Sequence, residues 1–275
     1  MNKKIIFIDL DGTALDKKIE KGIFNNFNAM SIKNISSIKS LPQDYQVIIS
    51  TGRANDKKLK RIVNSIGSKN YIFWNGAGIV IDDILVENLV IEKIIAKKII
   101  EYAKQNGLNI IINSDMNRIY LKSYWLRFLI KFFTYKKTYS YKSLSLNFDI
   151  NKLMFFSLNK KKIKKAVEYI NSNFEDVIAL NTHKNYMEIT HIDAQKGSAE
   201  LFMCEQLEIN PLESFHIGDS MNDATTKNKI GTFIAMNNAS KSVKALADIV
   251  VPYSFKGAGL SKVIENIKQY KYKIR

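Results

Sequence analysis

Short apolar runs alternate with stretches of helical spacing over the first 82 residues of this chain. Three runs rich in β-branched residues predict buried strands: KIIFID (4–9), YQVIIST (45–51) and YIFWNGAGIVID (71–82), the last one broken by a tight glycine turn. Between them, residues 19–40 and 55–67 have the apolar spacing of helices, and Gly67 suits the end of the second helix. This β-α-β-α-β order is typical of a parallel, doubly wound sheet.

A block with a different pattern interrupts this order between residues 83 and 190. Helical spacing predicts helices at 91–104 and 160–174, and apolar runs predict strands at 108–114, 118–125, 152–158, 177–182 and 186–191. The alternating pattern then returns, with helices predicted at 196–208 and 259–271. The predicted fold is therefore α/β, a doubly wound, Rossmann-like parallel sheet core (1–82 and 191–275) with an inserted α+β cap domain (83–190).

Four polar segments lie at predicted strand ends of the core: DLDGT (9–13), STGR (50–53), AQKGS (194–198) and GDSMND (218–223). Ligands of an open parallel sheet bind beyond the carboxyl ends of its strands, so four aspartates should converge there: Asp9, Asp11, Asp219 and Asp223. Four carboxylates require a cation, and ligation by oxygen alone favours Mg²⁺ beside a phosphate. Lys196, Thr51 and backbone amides of the glycine-containing loops would face the phosphoryl oxygens.

In this order, the four segments resemble the motifs of the haloacid dehalogenase-like superfamily of phosphotransferases. The insert after the third strand, together with WNGAGIVI (74–81), resembles the Cof-type branch with its large α/β cap. The segments AMNNA (235–239) and ADIVV (247–251) resemble that branch as well. The motifs cover the core from end to end, whereas the cap matches only in length and in its rough strand–helix pattern.

The resemblance implies Mg²⁺-dependent hydrolysis of a small phosphorylated substrate through an aspartyl-phosphate. It makes Asp9 the nucleophile and Asp11 the group that protonates the leaving oxygen and later activates water. Successive side chains of a strand alternate, so residues two apart can reach one site. Lys196 would offset the negative charge of Asp9 and of the transferring group.

The resemblance also implies two ligand sets. The metal set consists of Asp9, Asp11 through its backbone carbonyl, Asp219 and Asp223, and Asn222 and Asp223 would support these ligands from outside. The substrate set consists of Leu10, Gly12, Thr51, Gly52, Arg53, Asn75, Lys196 and Asn222. Within it, Arg53 and Asn75 face either the substrate or the hinge of the cap.

Three places depart from the family pattern. Thr226 and Lys227 stand where a hydrophobic pair is common, Asn237 stands where glycine is usual, and PYSFKGAG (252–259) lacks the acidic residues often found there. No catalytic group is lost, but the packing beside Asp223 and the substrate range stay open. A phosphomutase of the same superfamily would share these motifs, so that activity is an alternative.

The net charge of +16 over 275 residues is concentrated in one stretch. Residues 124–165 contain eleven Lys and Arg and one acid, Asp149. A solvated lysine-rich face or recognition of an acidic substrate explains this, and interleaved tyrosines could also contact RNA or an anionic membrane. A binding protein on a phosphatase scaffold is therefore the second alternative. We predict no stable nucleic-acid or membrane partner, but the basic stretch 124–165 leaves such a partner open, and the oligomeric state stays open as well.

The remaining features predict ordinary structure. The single cysteine, Cys204, is expected as a buried thiol in a cytoplasmic protein, and neither a signal peptide nor a membrane span is evident. Four aromatic residues have helical spacing and predict a buried helix face: Trp125, Phe128, Phe132 and Phe133. The three histidines lack ligand-spaced partners, so no metal role is expected for His183, His191 or His216, and His216 is expected in the core.

Overall fold

The computed structural model describes residues 3–21, 25–114, 118–134, 137–183 and 185–269. In chain order, the strands are β1 (Lys4–Ile8), β2 (Lys17–Lys21), β3 (Asn25–Ala29), β4 (Tyr45–Ser50), β5 (Tyr71–Phe73), β6 (Gly78–Ile81), β7 (Ile84–Asn88), β8 (Asn109–Ile112), β9 (Arg118–Leu121), β10 (Lys137–Ser140), β11 (Lys152–Phe156), β12 (Val177–His183), β13 (Tyr186–His191), β14 (Phe215–Gly218), β15 (Thr232–Ala235) and β16 (Ile249–Val250). The α-helices are α1 (Ile32–Lys39), α2 (Lys57–Ser65), α3 (Lys93–Gln105), α4 (Tyr124–Thr134), α5 (Lys160–Asn173), α6 (Lys196–Gln206), α7 (Lys241–Leu246) and α8 (Gly259–Lys268).

The chain divides into two compact units, a core unit (1–87 and 195–275) and an insert (88–194). The insert begins later than predicted because β7 extends the edge of the core sheet. It also ends later, because the backbone N–H of Ile192 donates to the carbonyl of Asp176 over 2.9 Å. The boundaries therefore lie four to five residues beyond the predicted ones, at 87/88 and 194/195 rather than 82/83 and 190/191.

The core unit contains an eight-stranded sheet in the order β16-β15-β14-β1-β4-β5-β6-β7. Neighbouring strands are parallel from β16 to β5, whereas β6 runs antiparallel to β5. Along β1, Ile6 and Ile8 pack on one face with residues of α1, α2 and α8, and Ile5 and Phe7 pack on the other face with residues of α6. Helices thus cover both faces of β1, which explains its uninterrupted apolar run and confirms the doubly wound α/β prediction.

The neighbouring strands β4, β1 and β14 end in the polar segments that the sequence singles out. Thr51 follows β4, Asp9 follows β1, and Asp219 follows β14. Because these strands are parallel and hydrogen-bonded to one another, their carboxyl ends lie at the same edge of the sheet. The three segments are brought together for this reason.

The prediction of a helix over residues 19–40 was wrong for its first half. Strands β2 and β3 form an antiparallel pair in which Ile19 is in register with Phe27, and only α1 is helical. The sparse apolar residues among Lys and Asn imitate helical spacing here. The helix begins where Ser31 caps it, with the Ser31 hydroxyl accepting from the backbone N–H of Asn34.

The insert is an α+β unit with a six-stranded sheet in the order β10-β9-β8-β11-β13-β12. Its pairs are antiparallel except that of β9 with β10. Residues of α3 and α5 pack with Ile110, Leu153 and Phe155 on one face of the sheet. On the other face, Ile130 of α4 packs against Ile111, Ile119 and Leu121.

Two predictions around α4 were wrong. The strand expected over 118–125 ends at Leu121, and α4 begins at Tyr124. The aromatic side chains of Trp125, Phe128 and Phe132 are exposed rather than buried, because α4 contacts the sheet through its opposite face. The side chain of Phe133 lies outside the described part of the structure.

Across the described residues, the helices are too short or too polar to cross a membrane. The thiol of Cys204 is buried in the core unit beside Met203 and Ile209.

Candidate active site

Lys196 forms a buried bridge between two aspartates. Its Nζ lies 2.6 Å from Oδ1 of Asp9 and 2.7 Å from Oδ1 of Asp223, and its side chain has no exposed surface. A lysine in the first turn of a helix is disfavoured by the helix dipole, so the two carboxylates must stabilise it at the start of α6. Charge-assisted hydrogen bonds of this kind are strong, and burial makes each partner dependent on the others.

Asp223 also organises the loop after β14. Its Oδ2 accepts from the backbone N–H groups of Asp219 (3.0 Å) and Ser220 (2.8 Å) and from the Ser220 hydroxyl (2.9 Å). A Cβ atom on Gly218 would lie 2.3 Å from Cγ of Asp223, so the carboxylate can approach only a glycine. Both oxygens of Asp223 are therefore engaged with protein donors, and its role here is to hold Lys196 and the loop.

Behind Asp223 lies a second buried ion pair. His216 on β14 lies between two carboxylates, with Nε2 3.0 Å from Oδ1 of Asp223 and Nδ1 2.8 Å from Oε1 of Glu200. His216 and Glu200 have no exposed surface, and Oε2 of Glu200 has no hydrogen-bond partner among the described residues. His216 lies in the core as expected, but its pairing with Glu200 was not predicted, because neither residue stands in a recognisable motif.

Both of the other histidines belong to the insert. His191 lies in the insert beside Asp193. The side chain of His183 lies outside the described residues.

The electrostatics follow from burial and from these pairings. Burial raises the pKa of Asp9 to about 7, against the opposing effect of Lys196, and burial together with Asp223 raises the pKa of Asp219 to about 6. Burial acts to lower the pKa of His216, but Glu200 and Asp223 raise it to about 9. Burial would raise the pKa of Asp223, yet Lys196 and His216 hold it well below its ordinary value. The raised pKa values of Asp9 and Asp219 thus show that these two carboxylates have too little positive charge near them to offset their burial.

Gly12 allows Asp219 to approach the loop after β1. Its φ is +85°, and a Cβ atom there would lie 2.1 Å from Oδ2 of Asp219. The side-chain amide of Asn238 donates to the Gly12 carbonyl over 2.9 Å and to Oδ2 of Asp219 over 2.8 Å. Asn238 was not predicted as a site residue, although it lies in the AMNNA segment that the sequence resemblance includes.

Asp11 does not join the carboxylate cluster. Its oxygens accept from Nε (2.7 Å) and Nη2 (2.6 Å) of Arg53, and its side chain is largely exposed. Thr51 is buried, and its hydroxyl accepts from the backbone N–H of Arg53 over 3.3 Å. The structure thus brings Arg53 to Asp11 and leaves the Asp11 carboxylate outside the group around Asp9.

The other predicted substrate residues form the loops around these groups. The Asn222 side-chain amide donates to Oδ1 of Asn75 over 2.7 Å. A Cβ atom on Gly52 would lie 2.6 Å from the same oxygen, so this approach also requires glycine. Leu10 is fully buried in the apolar core, so only its backbone could face a ligand.

The carboxylates fit a hard divalent cation. Asp9, Asp219 and Asp223 each have an oxygen within 4.8 Å of the others' oxygens. When ionised, these three and Glu200 carry four negative charges, and Lys196 and His216 offset two of them. The remaining charge of −2 and the all-oxygen donor set would suit a hard divalent cation such as Mg²⁺. Asp9 and Asp219 are the side chains best suited to ligation, since the oxygens of Asp223 already have protein donors.

Comparison with known proteins agrees with this architecture. The sequence profile of haloacid dehalogenase-like hydrolases matches residues 6–264, and the chain belongs to this family. Phosphatase YwpJ of Bacillus subtilis is 25% identical over 278 residues, which cover 90% of this chain and 94% of that protein. Putative phosphatase MG125 of Mycoplasma genitalium is 28% identical over 261 residues, which cover 88% of this chain and 89% of that protein.

The fold is shared with solved structures as well. The structure of TM0651 from Thermotoga maritima matches with a TM-score of 0.74 at 24% identity, covering 96% of this chain and 97% of that one. The match of the family profile over residues 6–264 confirms the family predicted from the four polar segments.

Proposed function

We propose that this hydrolase is a Mg²⁺-dependent phosphomonoesterase that acts on small phosphorylated metabolites through an aspartyl-phosphate on Asp9. The observation that carries the proposal is the buried Asp9–Lys196–Asp223 bridge, within a carboxylate cluster whose net charge suits a divalent cation. The phosphatase names of the two relatives support the same reaction class. The substrates in this proposal are sugar phosphates, nucleotides or cofactor phosphates, and the proposed location is the cytoplasm.

In the first half-reaction, a carboxylate oxygen of Asp9 attacks the phosphorus. The new Asp9–phosphorus bond forms while the ester bond breaks, and Asp11 gives a proton to the leaving oxygen. Lys196 keeps Asp9 in position and offsets its charge. Mg²⁺, held by Asp9, Asp219 and the backbone carbonyl of Asp11, would supply positive charge opposite the phosphoryl oxygens.

In the second half-reaction, Asp11 takes a proton from a water molecule whose oxygen attacks the phosphorus. The bond to Asp9 breaks, inorganic phosphate leaves, and the free carboxylate is restored. Asp11 can act in this way only when its contact with Arg53 opens. We propose that a phosphoryl oxygen of the substrate replaces Asp11 as the partner of Arg53, since guanidinium groups bind both anions in the same bidentate manner.

The test is hydrolysis of p-nitrophenyl phosphate with Mg²⁺ and after chelation, by the wild type and by Asp9→Asn. The matched control is Asp83→Asn, which makes the same chemical change at an exposed carboxylate of the core unit. We expect metal-dependent turnover in the wild type and the control, and a loss of about 10³-fold or more in Asp9→Asn. A panel of phosphorylated metabolites then identifies the preferred substrate class.

Two results would contradict the proposal. Undiminished turnover in Asp9→Asn would exclude Asp9 as the nucleophile. A folded wild type that hydrolyses neither p-nitrophenyl phosphate nor any metabolite of the panel, with or without Mg²⁺, would contradict a broad phosphatase activity and favour the phosphomutase or the binding protein.

A further inference from the structure

Helix α4 of the insert exposes a continuous aromatic face. Its members are Tyr124, Trp125, Phe128, Leu129 and Phe132, and we call this set the α4 aromatic face. The side chain of Trp125 is 74% exposed and that of Phe128 is 52% exposed. The rings contact one another, with centroids 6.4 Å apart for Trp125 and Phe128 and 6.1 Å apart for Phe128 and Phe132. Isolated exposed apolar residues are ordinary, but a contiguous set marks an interaction surface.

The geometry of the helix separates this face from its anchor. Successive helical residues are about 100° apart, so the five members fall within an arc of about 140°. Ile130 falls on the opposite side and holds the helix against Ile111, Ile119 and Leu121. The hydroxyl of Thr138 adds a hydrogen bond to the Arg127 carbonyl over 3.2 Å. The insert thus fixes α4 by one side and leaves the aromatic side exposed.

The sequence within and around α4 carries charge of one sign. Residues 118–142 contain seven cationic residues and no Asp or Glu: Arg118, Lys122, Arg127, Lys131, Lys136, Lys137 and Lys142. Arg127 lies beside the aromatic face, with its guanidinium 5.4 Å from the ring of Tyr124. An apolar helix face flanked by cations is complementary to a surface that is both negatively charged and apolar below its outer layer.

We propose that the α4 aromatic face binds an anionic phospholipid surface. With 11 residues the helix is about 16 Å long, too short to cross a bilayer core of about 30 Å, so it lies in the plane of the headgroups. A symmetric contact between the α4 faces of two copies fits poorly, since residues 118–142 of each copy would bring the same cations and no acids. Single-stranded RNA fits it poorly too, because Leu129 offers no ring for a base to stack on and the face is convex.

The experiment is cosedimentation with vesicles of phosphatidylcholine containing about 30% phosphatidylglycerol, compared with pure phosphatidylcholine. The test variant is Trp125→Ser/Phe128→Ser. The matched control is Ile94→Ser/Leu158→Ser, which removes two exposed apolar side chains of the insert outside α4. We expect the wild type and the control to bind the anionic vesicles and the test variant to bind about tenfold or more weakly. Binding should fall when phosphatidylglycerol is omitted and when salt is raised.

Trp125→Phe locates the contact without removing the apolar surface. We expect this variant to sediment with the vesicles, whereas the blue shift of tryptophan emission that vesicles cause in the wild type disappears. The chain has two tryptophans, so a shift that persists would come from Trp74 in the core unit and would overturn the proposal.

Three other results would overturn it. The first is no binding of the wild type to anionic vesicles at low salt. The second is salt-dependent binding that the test variant retains in full, which would show a general basic surface in place of α4. The third is a wild type that does not bind vesicles but self-associates with rising concentration, when the test variant does not self-associate. Vesicle binding is measured without turnover, so its failure is distinct from a failure of the phosphatase proposal.

Discussion

The core unit and the insert differ in where they place charged groups and apolar surface. The core unit buries a connected set of ionisable side chains, from Glu200 through His216 and Asp223 to Lys196 and Asp9. The insert keeps most of its lysines on the surface and also exposes the aromatic face of α4. Both units nevertheless form ordinary apolar cores between a sheet and its helices.

The buried charges of the core unit lower its stability, and the exposed aromatic face of the insert lowers its solubility. Removing charges from water costs free energy that ion pairing repays only in part, and an exposed apolar patch favours association. Such features are therefore expected where chemistry or binding requires them. In the core unit the requirement is the proposed nucleophile and cation site at the strand ends, and in the insert it is the proposed contact with lipid.

Removal of Lys196 should produce the largest effect. Lys196→Met leaves Asp9 and Asp223 buried without their common cation, so we expect kcat/KM to fall by about 10³-fold or more. The free energy of unfolding should fall by about 3–5 kcal/mol, because an unpaired buried charge is costly. Rates on p-nitrophenyl phosphate and urea unfolding measure the two effects. A folded variant with activity within tenfold of the wild type would refute the role of the bridge.

The pH dependence of stability tests the second part of the network. His216 has a pKa of about 9 in the folded protein and an ordinary value of 6.5. Its contribution to stability is complete below pH 6.5 and is lost as pH rises through about 9, a change of about 3 kcal/mol. The groups that face it are Glu200, Asp223 and the ring of Phe233.

The control for this test is His216→Gln, because a glutamine side chain does not titrate. Urea unfolding of both proteins between pH 6.5 and 9 should show a steeper loss of stability in the wild type than in the variant. Equal slopes would mean that His216 is not a charged member of the network.

The insert offers a matched test of buried charge away from the strand ends. Lys152 is buried, and its Nζ lies 2.7 Å from Oε2 of the partly exposed Glu188. Lys152→Met should lower the free energy of unfolding by about 1–3 kcal/mol and leave turnover of p-nitrophenyl phosphate unchanged. A loss of turnover as large as in Lys196→Met would break the distinction between the two units.

The smallest effect is expected at the exposed pair of α5. Nζ of Lys164 lies 3.8 Å from Oε1 of Glu168, and both side chains are mostly exposed to solvent. Lys164→Gln should change the free energy of unfolding by less than about 0.5 kcal/mol. A change above 1 kcal/mol in thermal or urea unfolding would show that surface charge in the insert matters more than this account allows.

The sequence predicts much of the core unit because its signals are long and regular. The β1 run predicts a buried strand, and the rule for parallel sheets places Asp9 and Asp219 at the same edge of the sheet. Lys196 was predicted at a strand end of the core as well, but it reaches Asp9 from the start of α6. Glu200 and Asn238 could not be predicted in the same way. Each is a single polar residue without a spaced partner, and its neighbours become known only when the helices and loops are placed.

The insert shows what periodicity leaves undetermined. Helical spacing correctly indicates that Trp125, Phe128 and Phe132 share one face of α4, but it cannot say whether another element covers that face. Strand spacing was equally ambiguous at β2 and β3, where sparse apolar residues matched a helix. The boundary at residue 87 was missed because β7 gives no sign of which sheet it joins.

The most direct test of the central claim is to trap the phosphorylated enzyme. p-Nitrophenolate leaves readily without a proton, so Asp11→Asn should complete the first half-reaction and stall before hydrolysis. We would mix this variant with p-nitrophenyl phosphate and Mg²⁺, quench with acid and locate the phosphoryl group by peptide mass spectrometry. The account predicts a burst of one nitrophenol per enzyme and a phosphoryl group on Asp9. The same burst with phosphate free in solution or bound to another residue would contradict it.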